Sequence, residues 1–183
     1  MTRRELFALL ATAPWAVAAV DERPQVAITM DDVALAGTPE VNSRLILEAL
    51  EKHGVLHAAL FVTGKNVDSP MGHVILQDWS GRGHMIANHT WSHLAYSGVI
   101  APSAFAADML RCDALVRPFG GYRPYFRFPM LKEGETRQRR DWMRAFLRDH
   151  GYRNGAVTID ASDWYYDERL RARLRLEPGF DAG

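Results

Sequence analysis

Short apolar runs alternate with longer amphipathic stretches along most of the chain, and this alternation narrows the possible folds more than any other feature. Short apolar runs bounded by turn residues predict buried strands, and apolar residues spaced three or four apart predict helices. The predicted strands are 25–29, 56–63, 84–88, 125–128 and 156–160. The predicted helices are 39–53, 74–79, 103–116, 137–150 and 168–176. Because strands separated by helices pair in parallel, we expect an α/β fold, either an open doubly wound sheet or a (β/α) barrel.

Composition excludes several classes of protein. The chain has 183 residues, of which 48% are hydrophobic and 24% charged, as expected for one globular domain. Lys and Arg balance Asp and Glu at a net charge of zero, so we expect no nucleic-acid partner. Cys112 is the single cysteine, which excludes an intramolecular disulfide. No Gly-x-Gly-x-x-Gly follows the first strand, which argues against a dinucleotide site.

Residues 1–19 have the pattern of an export signal: a charged start, a short apolar run and a small-x-small ending at Ala16-Val17-Ala18. The adjacent Arg3 and Arg4, followed by Leu6-Phe7, resemble a twin-arginine signal. An ordinary secretory signal or an N-terminal helix of the domain are the alternatives. We therefore expect residues 20–183 to form an exported domain, periplasmic or extracellular, with no stable membrane insertion after cleavage.

Ionisable side chains lie at the ends of four of the five predicted strands, where parallel β/α folds place their chemistry. They are Asp31-Asp32, His89 with His93, Arg127, and Asp160 with Asp163. Two adjacent carboxylates at a buried strand end repel each other unless a cation or a shared proton relieves the repulsion. One carboxylate and two neutral histidines make an open three-ligand set of the catalytic zinc type. Taken singly, the acid pair could be a solvated turn and the His-x-x-x-His spacing a coincidence.

Together, these clusters resemble the motifs of the polysaccharide deacetylases, the carbohydrate esterases related to the nodulation chitooligosaccharide deacetylase. Four of the five family motifs occur in order, over about residues 25–165. They read Thr29-Met30-Asp31-Asp32, His89-Thr90-Trp91-Ser92-His93, Arg127-Phe128-Pro129 and Asp160-Ala161-Ser162-Asp163-Trp164. The resemblance implies a distorted (β/α)7 barrel, here incomplete with about five β/α units. It also implies metal-dependent hydrolysis of N- or O-acetyl groups on glycans.

The resemblance assigns roles to the residues of the first three motifs. Asp31 matches the catalytic base, and Arg127 matches the arginine that pairs with it and orients it. Asp32, His89 and His93 match the ligands of a divalent metal, which we expect to be Zn²⁺. An ordinary salt bridge is the alternative explanation of Arg127.

Three further residues receive roles, and the motifs also depart from the family pattern. Asp163 matches the carboxylate that orients a catalytic histidine, Trp164 matches the aromatic wall of the groove, and the Met130 N–H is the expected oxyanion donor. A core aromatic is the alternative for Trp164. Met130 replaces a usual aromatic, and Val33-Ala34 replaces a usual Gly-Pro, so the groove differs from that of typical members.

The sequence predicts an exported, cell-wall-directed hydrolase that removes acetyl groups from a glycan, most often at a non-peptide C–N bond. The alternatives are a non-catalytic glycan- or metal-binding domain and a hydrolase of small non-peptide amides. No histidine follows Trp164, although the family takes its general acid from a fifth motif after that point. We therefore expect the chain to be a C-terminally truncated member, whose gene encodes about two more strands and a catalytic histidine beyond Gly183.

Overall fold

The computed structural model describes residues 26–32, 39–177 and 179–181. The predicted export signal and the first residue of the first predicted strand lie outside these ranges. The strands are β1 (Thr29–Asp31), β2 (Ala59–Val62), β3 (Met85–Asn88), β4 (Tyr122–Phe126) and β5 (Arg153–Asn154). The helices are α1 (Pro39–Lys52), α2 (Gly64–Val67), α3 (Pro70–Gly81), α4 (Pro102–Val116), α5 (Arg137–Asp149) and α6 (Asp163–Leu176), with a 3₁₀ turn at Pro129–Leu131.

All five strands pair in parallel, in the order in which they occur in the chain. A doubly wound sheet would reverse its strand order at a switch point, whereas sequential order is that of a barrel wall. The prediction of a parallel fold of about five β/α units is therefore confirmed. The strand order therefore favours the barrel over the open doubly wound sheet, the two architectures that the sequence left open.

The strand register places the ends of the strands at one edge of the sheet. Asp31 pairs with Phe61, Val62 with Asn88, and Asn88 in turn with Phe126. The residues that directly follow β1, β3 and β4 are thereby brought side by side.

One face of the sheet packs against the helices in two hydrophobic clusters. The first includes Leu60, Ile86 and Trp79; the Trp79 ring is fully buried, and its Nε1–H donates to Ser43 Oγ at 2.9 Å. In the second, Phe126 packs with the helix residues Phe105, Met109, Met143 and Leu147. Because these helices are buried along one side, the sheet edge that carries the ionisable residues rests on a rigid layer.

The other face of the sheet is covered near β2 and β4 by the chain that follows β5. Phe61 is 1% exposed, with the Arg127 guanidinium 3.8 Å above its ring centre. Gly155 lies against the same ring, so closely that any side chain at that position would collide with Phe61. Glycine is therefore required where the chain crosses this face.

The prediction of a fifth strand at 156–160 is wrong. The strand that pairs with β4 is Arg153–Asn154, and Tyr125 pairs with Arg153. The apolar pattern misled the prediction because the chain leaves the sheet at Gly155, and Ile159 is 82% exposed. The last helix begins at Asp163 rather than near residue 168, and the one-turn helix α2 was not predicted.

None of the helices in the described ranges is long and apolar enough to cross a membrane.

Candidate functional site

Asp32, His89 and His93 form a compact group at the edge where the strands end. One ligand atom from each residue lies within 4.8 Å of the others. His93 Nε2 is 2.8 Å from Asp32 Oδ2, and His89 Nε2 is 3.9 Å from the same oxygen. One carboxylate and two imidazoles are a donor set suited to first-row divalent ions such as zinc. The structure thus brings together the three predicted metal ligands, and they could hold a metal ion.

His89 is oriented by the backbone around it. Its own N–H donates to Val62 O at 2.9 Å, and its ring Nδ1–H donates to Arg127 O at 2.8 Å. The Nε2 lone pair is left to face Asp31 and Asp32, as in metal-binding histidines that donate from their second nitrogen. Burial lowers the pKa of His89, although the two nearby acids oppose the shift. The neutral ring, which is the form that binds metal, is therefore favoured.

His93 is held by a tight loop. Thr90 and His93 both have left-handed backbone conformations, with φ of 67° and 58°. Thr90 Oγ1 accepts the His93 N–H at 3.0 Å, and Asp108 Oδ2 accepts both the N–H and the hydroxyl of Ser92. The hydrogen bond with Asp32 raises the pKa of His93, against a smaller opposing effect of burial. Bound protons will therefore compete with a metal at this ring more strongly than at His89.

Asp32 directly follows β1 and also has a left-handed backbone, with φ of 56°. Its N–H donates to Phe61 O at 3.1 Å, and its Oδ1 accepts the hydroxyl of Thr63. Burial favours the neutral acid, but hydrogen bonds from His93 and Thr63 and the adjacent His89 outweigh it. The pKa of Asp32 is therefore below its ordinary value, and the carboxylate form that a metal requires is favoured.

Asp31 is fixed beside the metal group by Arg127. Arg127 Nη1 donates to Asp31 Oδ1 at 2.6 Å, and Asp31 Oδ2 lies 3.6 Å from His89 Nε2. Arg127 is 4% exposed, and it also donates from Nε to Gly155 O at 2.8 Å and from Nη2 to Thr29 Oγ1 at 3.0 Å. A buried guanidinium with these partners holds the carboxylate in one orientation. The predicted pairing of Arg127 with Asp31 is present.

The remaining predicted residues do not join this group. Asp163 is exposed at the start of α6, where its Oδ1 accepts the backbone N–H of Trp164 at 2.9 Å. Trp164 is 65% exposed, and its ring meets Tyr165 edge to face. The expected strand end beneath them does not exist, since β5 ends at Asn154. Met130 lies in the 3₁₀ turn after Arg127, with φ of 54° and a side chain that is 62% exposed.

Two cavities lie at opposite edges of the sheet. The smaller, of about 130 Å³, adjoins the site and is lined by residues that include Arg127, Glu133 and Gly155. The larger, of about 390 Å³, lies where β3 and β4 begin and is lined by His57, His84 and Arg123 among others. None of the predicted site residues lines the larger cavity.

Two supporting residues were missed in the sequence. Thr63 follows β2 and donates to Asp32, and Asp108 on α4 holds the loop between the two histidines. The rule that chemistry gathers at strand ends would have found Thr63, had hydroxyl groups been considered together with ionisable ones. Asp108 has no such signal, because only the packing of α4 against the loop reveals it.

Comparison with known families identifies the chain. The model of the family described as polysaccharide deacetylase matches residues 19–155. The chain belongs to this family, as the four motifs suggested. No curated protein matches the sequence.

Solved structures of similar fold include a family 4 acetyl xylan esterase from Clostridium thermocellum in complex with a cobalt ion. It is 25% identical, with a TM-score of 0.50, over 60% of this chain and 50% of that one. A family 4 carbohydrate esterase from Streptomyces lividans in complex with acetate is 22% identical, with a TM-score of 0.61, over 77% of this chain and 66% of that one. The peptidoglycan deacetylase PdaC from Bacillus subtilis is 21% identical, with a TM-score of 0.61, over 85% of this chain and 70% of that one. The chain thus spans between half and 70% of the length of these proteins.

Proposed function

We propose that this chain carries the metal and base side of the active site of an exported deacetylase that removes acetyl groups from a glycan. The observation that carries the proposal is the position of Asp31, whose Oδ2 lies 3.6 Å from the Nε2 of a predicted metal ligand, His89. A buried arginine holds its other oxygen. A fixed carboxylate beside an open three-ligand group is the arrangement that metal-assisted hydrolysis needs.

The acetyl group is a poor electrophile, and hydrolysis needs both an activated carbonyl and an activated water. A divalent ion held by Asp32, His89 and His93, which we propose to be Zn²⁺, would polarise the carbonyl and acidify the water. Asp31 accepts the water proton at Oδ2, because Oδ1 is already bonded to Arg127. Arg127 holds Asp31 in the orientation that leaves Oδ2 free for this proton.

The Met130 backbone N–H is the proposed donor to the oxyanion that develops on the acetyl carbonyl. The positive φ of Met130 turns the chain sharply, three residues after Arg127. The small cavity beside Arg127 and Gly155 offers space next to the base. We propose that this cavity and the exposed 3₁₀ turn border the groove in which the glycan lies.

Glycans with N-acetyl groups, as in peptidoglycan or chitin, and glycans with O-acetyl groups, as in xylan, are the candidate substrates. The family and the similar solved proteins, which include a peptidoglycan deacetylase and an acetyl xylan esterase, support this class. Export fits a glycan outside the cell, and it rests on the signal-like residues 1–19. Recovery of the protein from the periplasm or medium, with its N-terminus near residue 20, tests this part of the proposal.

A binding domain without catalytic activity is the second candidate, and one observation favours it. Asp163, which the resemblance assigns to orienting a catalytic histidine, is exposed at the start of α6, where its Oδ1 accepts the backbone N–H of Trp164. In that case the same metal group would anchor a glycan without cleaving it.

Acetate release separates the two functions. The purified chain is incubated with acetylated chitooligosaccharides, peptidoglycan and acetylxylan, before and after treatment with a chelator and after restoring Zn²⁺. We expect release that disappears with the chelator, returns with zinc and is lost in Asp31→Asn. Metal-dependent binding of a glycan without acetate release would instead establish the binding domain.

A further inference from the structure

Thr63 occupies an unusual position at the start of α2. It is the residue that precedes the first turn of this helix, where a threonine hydroxyl normally accepts a backbone N–H of the helix. Its side chain makes no such bond. The hydroxyl instead donates to Asp32 Oδ1, and the residue is 1% exposed.

This hydrogen bond divides the two oxygens of Asp32 between two tasks. Oδ1 is bonded to Thr63, whereas Oδ2 lies 2.8 Å from His93 Nε2 and 3.9 Å from His89 Nε2. A carboxylate that lacked the Thr63 bond could rotate about its terminal torsion, which is a soft one. The hydroxyl therefore selects the orientation that directs Oδ2 toward the two histidines.

The backbone next to Thr63 is tied to the other two ligands. Gly64 N–H donates to Thr90 O and Lys65 N–H to Trp91 O, both at 3.0 Å. Gly64 has to be a glycine, since a Cβ would lie 2.7 Å from the Trp91 ring. The turn at 63–65 thus contacts Asp32 through a side chain and the histidine loop through its backbone.

We propose that Thr63 is a positioning residue that fixes Asp32 relative to His89 and His93, and that its hydroxyl sets the affinity of the metal site. The inference rests on the metal group of the proposed function, but it concerns a residue outside the four motifs. Partners of this kind typically contribute about 10–100-fold to metal affinity.

Two pairs of variants, each differing by one hydroxyl, test the proposal. Wild type is compared with Thr63→Val, which has the same shape, and Thr63→Ser is compared with Thr63→Ala. Zinc affinity is measured by competition with a chromophoric chelator, and the absorption spectrum of Co²⁺-loaded protein reports the geometry of the site. We expect both variants without a hydroxyl to bind zinc about 10–100-fold more weakly than their partners and to change the Co²⁺ spectrum.

Thr136→Val is the matched control, because it removes a threonine hydroxyl that accepts the Arg139 N–H at the start of α5, away from the metal group. We expect its zinc affinity to equal that of wild type. Thermal unfolding of the metal-free variants shows whether a loss of affinity reflects loss of the fold. If Thr63→Val does not fold, the comparison of Thr63→Ser with Thr63→Ala still tests the hydroxyl. If the hydroxyl makes no difference within either pair while wild type binds zinc, Thr63 does not position Asp32. If wild type binds no zinc, the proposed function fails together with this inference.

Discussion

Two regions of the described chain, β1 to β4 and the segment after β5, carry motif residues, but only the first brings them together into a site. Between β1 and β4, polar residues from all four strand ends meet within hydrogen-bonding distance, and Arg127 among them is 4% exposed. After β5, Asp163 and Trp164 lie on a helix with no buried residue in its described part, and Trp164 is 65% exposed. Both regions resemble family motifs in sequence, although the family model matches only residues 19–155, so a motif alone does not decide whether its residues assemble.

The difference lies in what supports each motif. Arg127 joins the two halves of the site, because its guanidinium holds Asp31 while its carbonyl oxygen accepts the ring N–H of His89. Strand pairing and the buried helices fix both contacts. No strand precedes Asp163 closely, and α6 has no hydrophobic core beneath it among the described residues. We infer that strand pairing and the burial of β2 and β3, more than the polar residues themselves, assemble this site.

Removing a ligand from the assembled region should have the largest effect. We expect His93→Ala to lose most of the bound metal, and all metal-dependent activity with it, because only two ligands remain. Metal analysis of the purified protein should fall from about one equivalent to little. His150→Ala, which removes an exposed histidine that directly follows α5, should keep the metal. Unchanged metal content in His93→Ala would show that the ligands are elsewhere.

Neutralising Asp31, the proposed base, should separate activity from metal binding. Asp31→Asn keeps Asp32 and both histidines, so we expect it to retain the metal and to lose activity by about 10²–10⁴-fold, as when a positioned general base is removed. Asp32→Asn is the natural control, and it should lose the metal. If the outcomes were exchanged, with Asp31→Asn losing metal and Asp32→Asn keeping it, the roles of the two acids would be reversed.

The sequence predicted β2 and β3 well because these strands are local and strongly patterned, whereas β1 shares only Thr29 with the run predicted as a buried strand, and Val26 in that run is 75% exposed. β2 and β3 are continuous apolar runs with a turn residue after them, and both were found with small errors at the ends. Once the strands were assumed parallel, the order of their ends placed Asp31, His89 and Arg127 at one edge. The metal group followed from these positions.

The second region could not be predicted from local pattern. The run at 156–160 has apolar residues at strand-like spacing, yet the two residues Arg153–Asn154 form the strand because they pair with β4. Gly155 then crosses the sheet face against Phe61, a contact between residues far apart in sequence. Tertiary contacts of this kind override strand propensity, and a single sequence does not display them.

Lowering the pH should have a smaller effect on the first region, through the free energy of unfolding. Burial lowers the pKa of His84, which directly precedes β3, and the nearby His57 and Arg82 lower it further. The Ala58 N–H donates to His84 Nδ1 at 3.1 Å, so the folded state keeps that nitrogen unprotonated. As the pH falls below about 6.5, the unfolded chain takes up a proton that the folded chain resists, and the free energy of unfolding decreases.

We expect His84→Asn, whose oxygen can accept the same N–H, to lose less stability between pH 7 and pH 5 than wild type. Urea unfolding at several pH values measures the difference. His53→Asn, at an exposed position after α1, should follow the wild-type curve. An identical pH dependence in wild type and His84→Asn would show that another group controls the acid response.

The smallest effect should come from the unassembled region. We expect Trp164→Ala to change the free energy of unfolding by no more than about 0.5 kcal/mol, as for surface substitutions without buried partners. Zinc affinity should stay at the wild-type value, because Trp164 makes no hydrogen bond to the metal group among the described residues. The matched change in the assembled region, Trp79→Ala, should cost about 3–5 kcal/mol, since that ring is fully buried. Urea unfolding measures the two changes in stability, and zinc competition measures the metal affinity of Trp164→Ala. If Trp164→Ala lowered stability or zinc affinity markedly, α6 would pack against the site in solution, and the contrast between the two regions would disappear. If it instead weakened glycan binding alone, Trp164 would act as the wall of the groove that its motif implies, while remaining outside the assembled core.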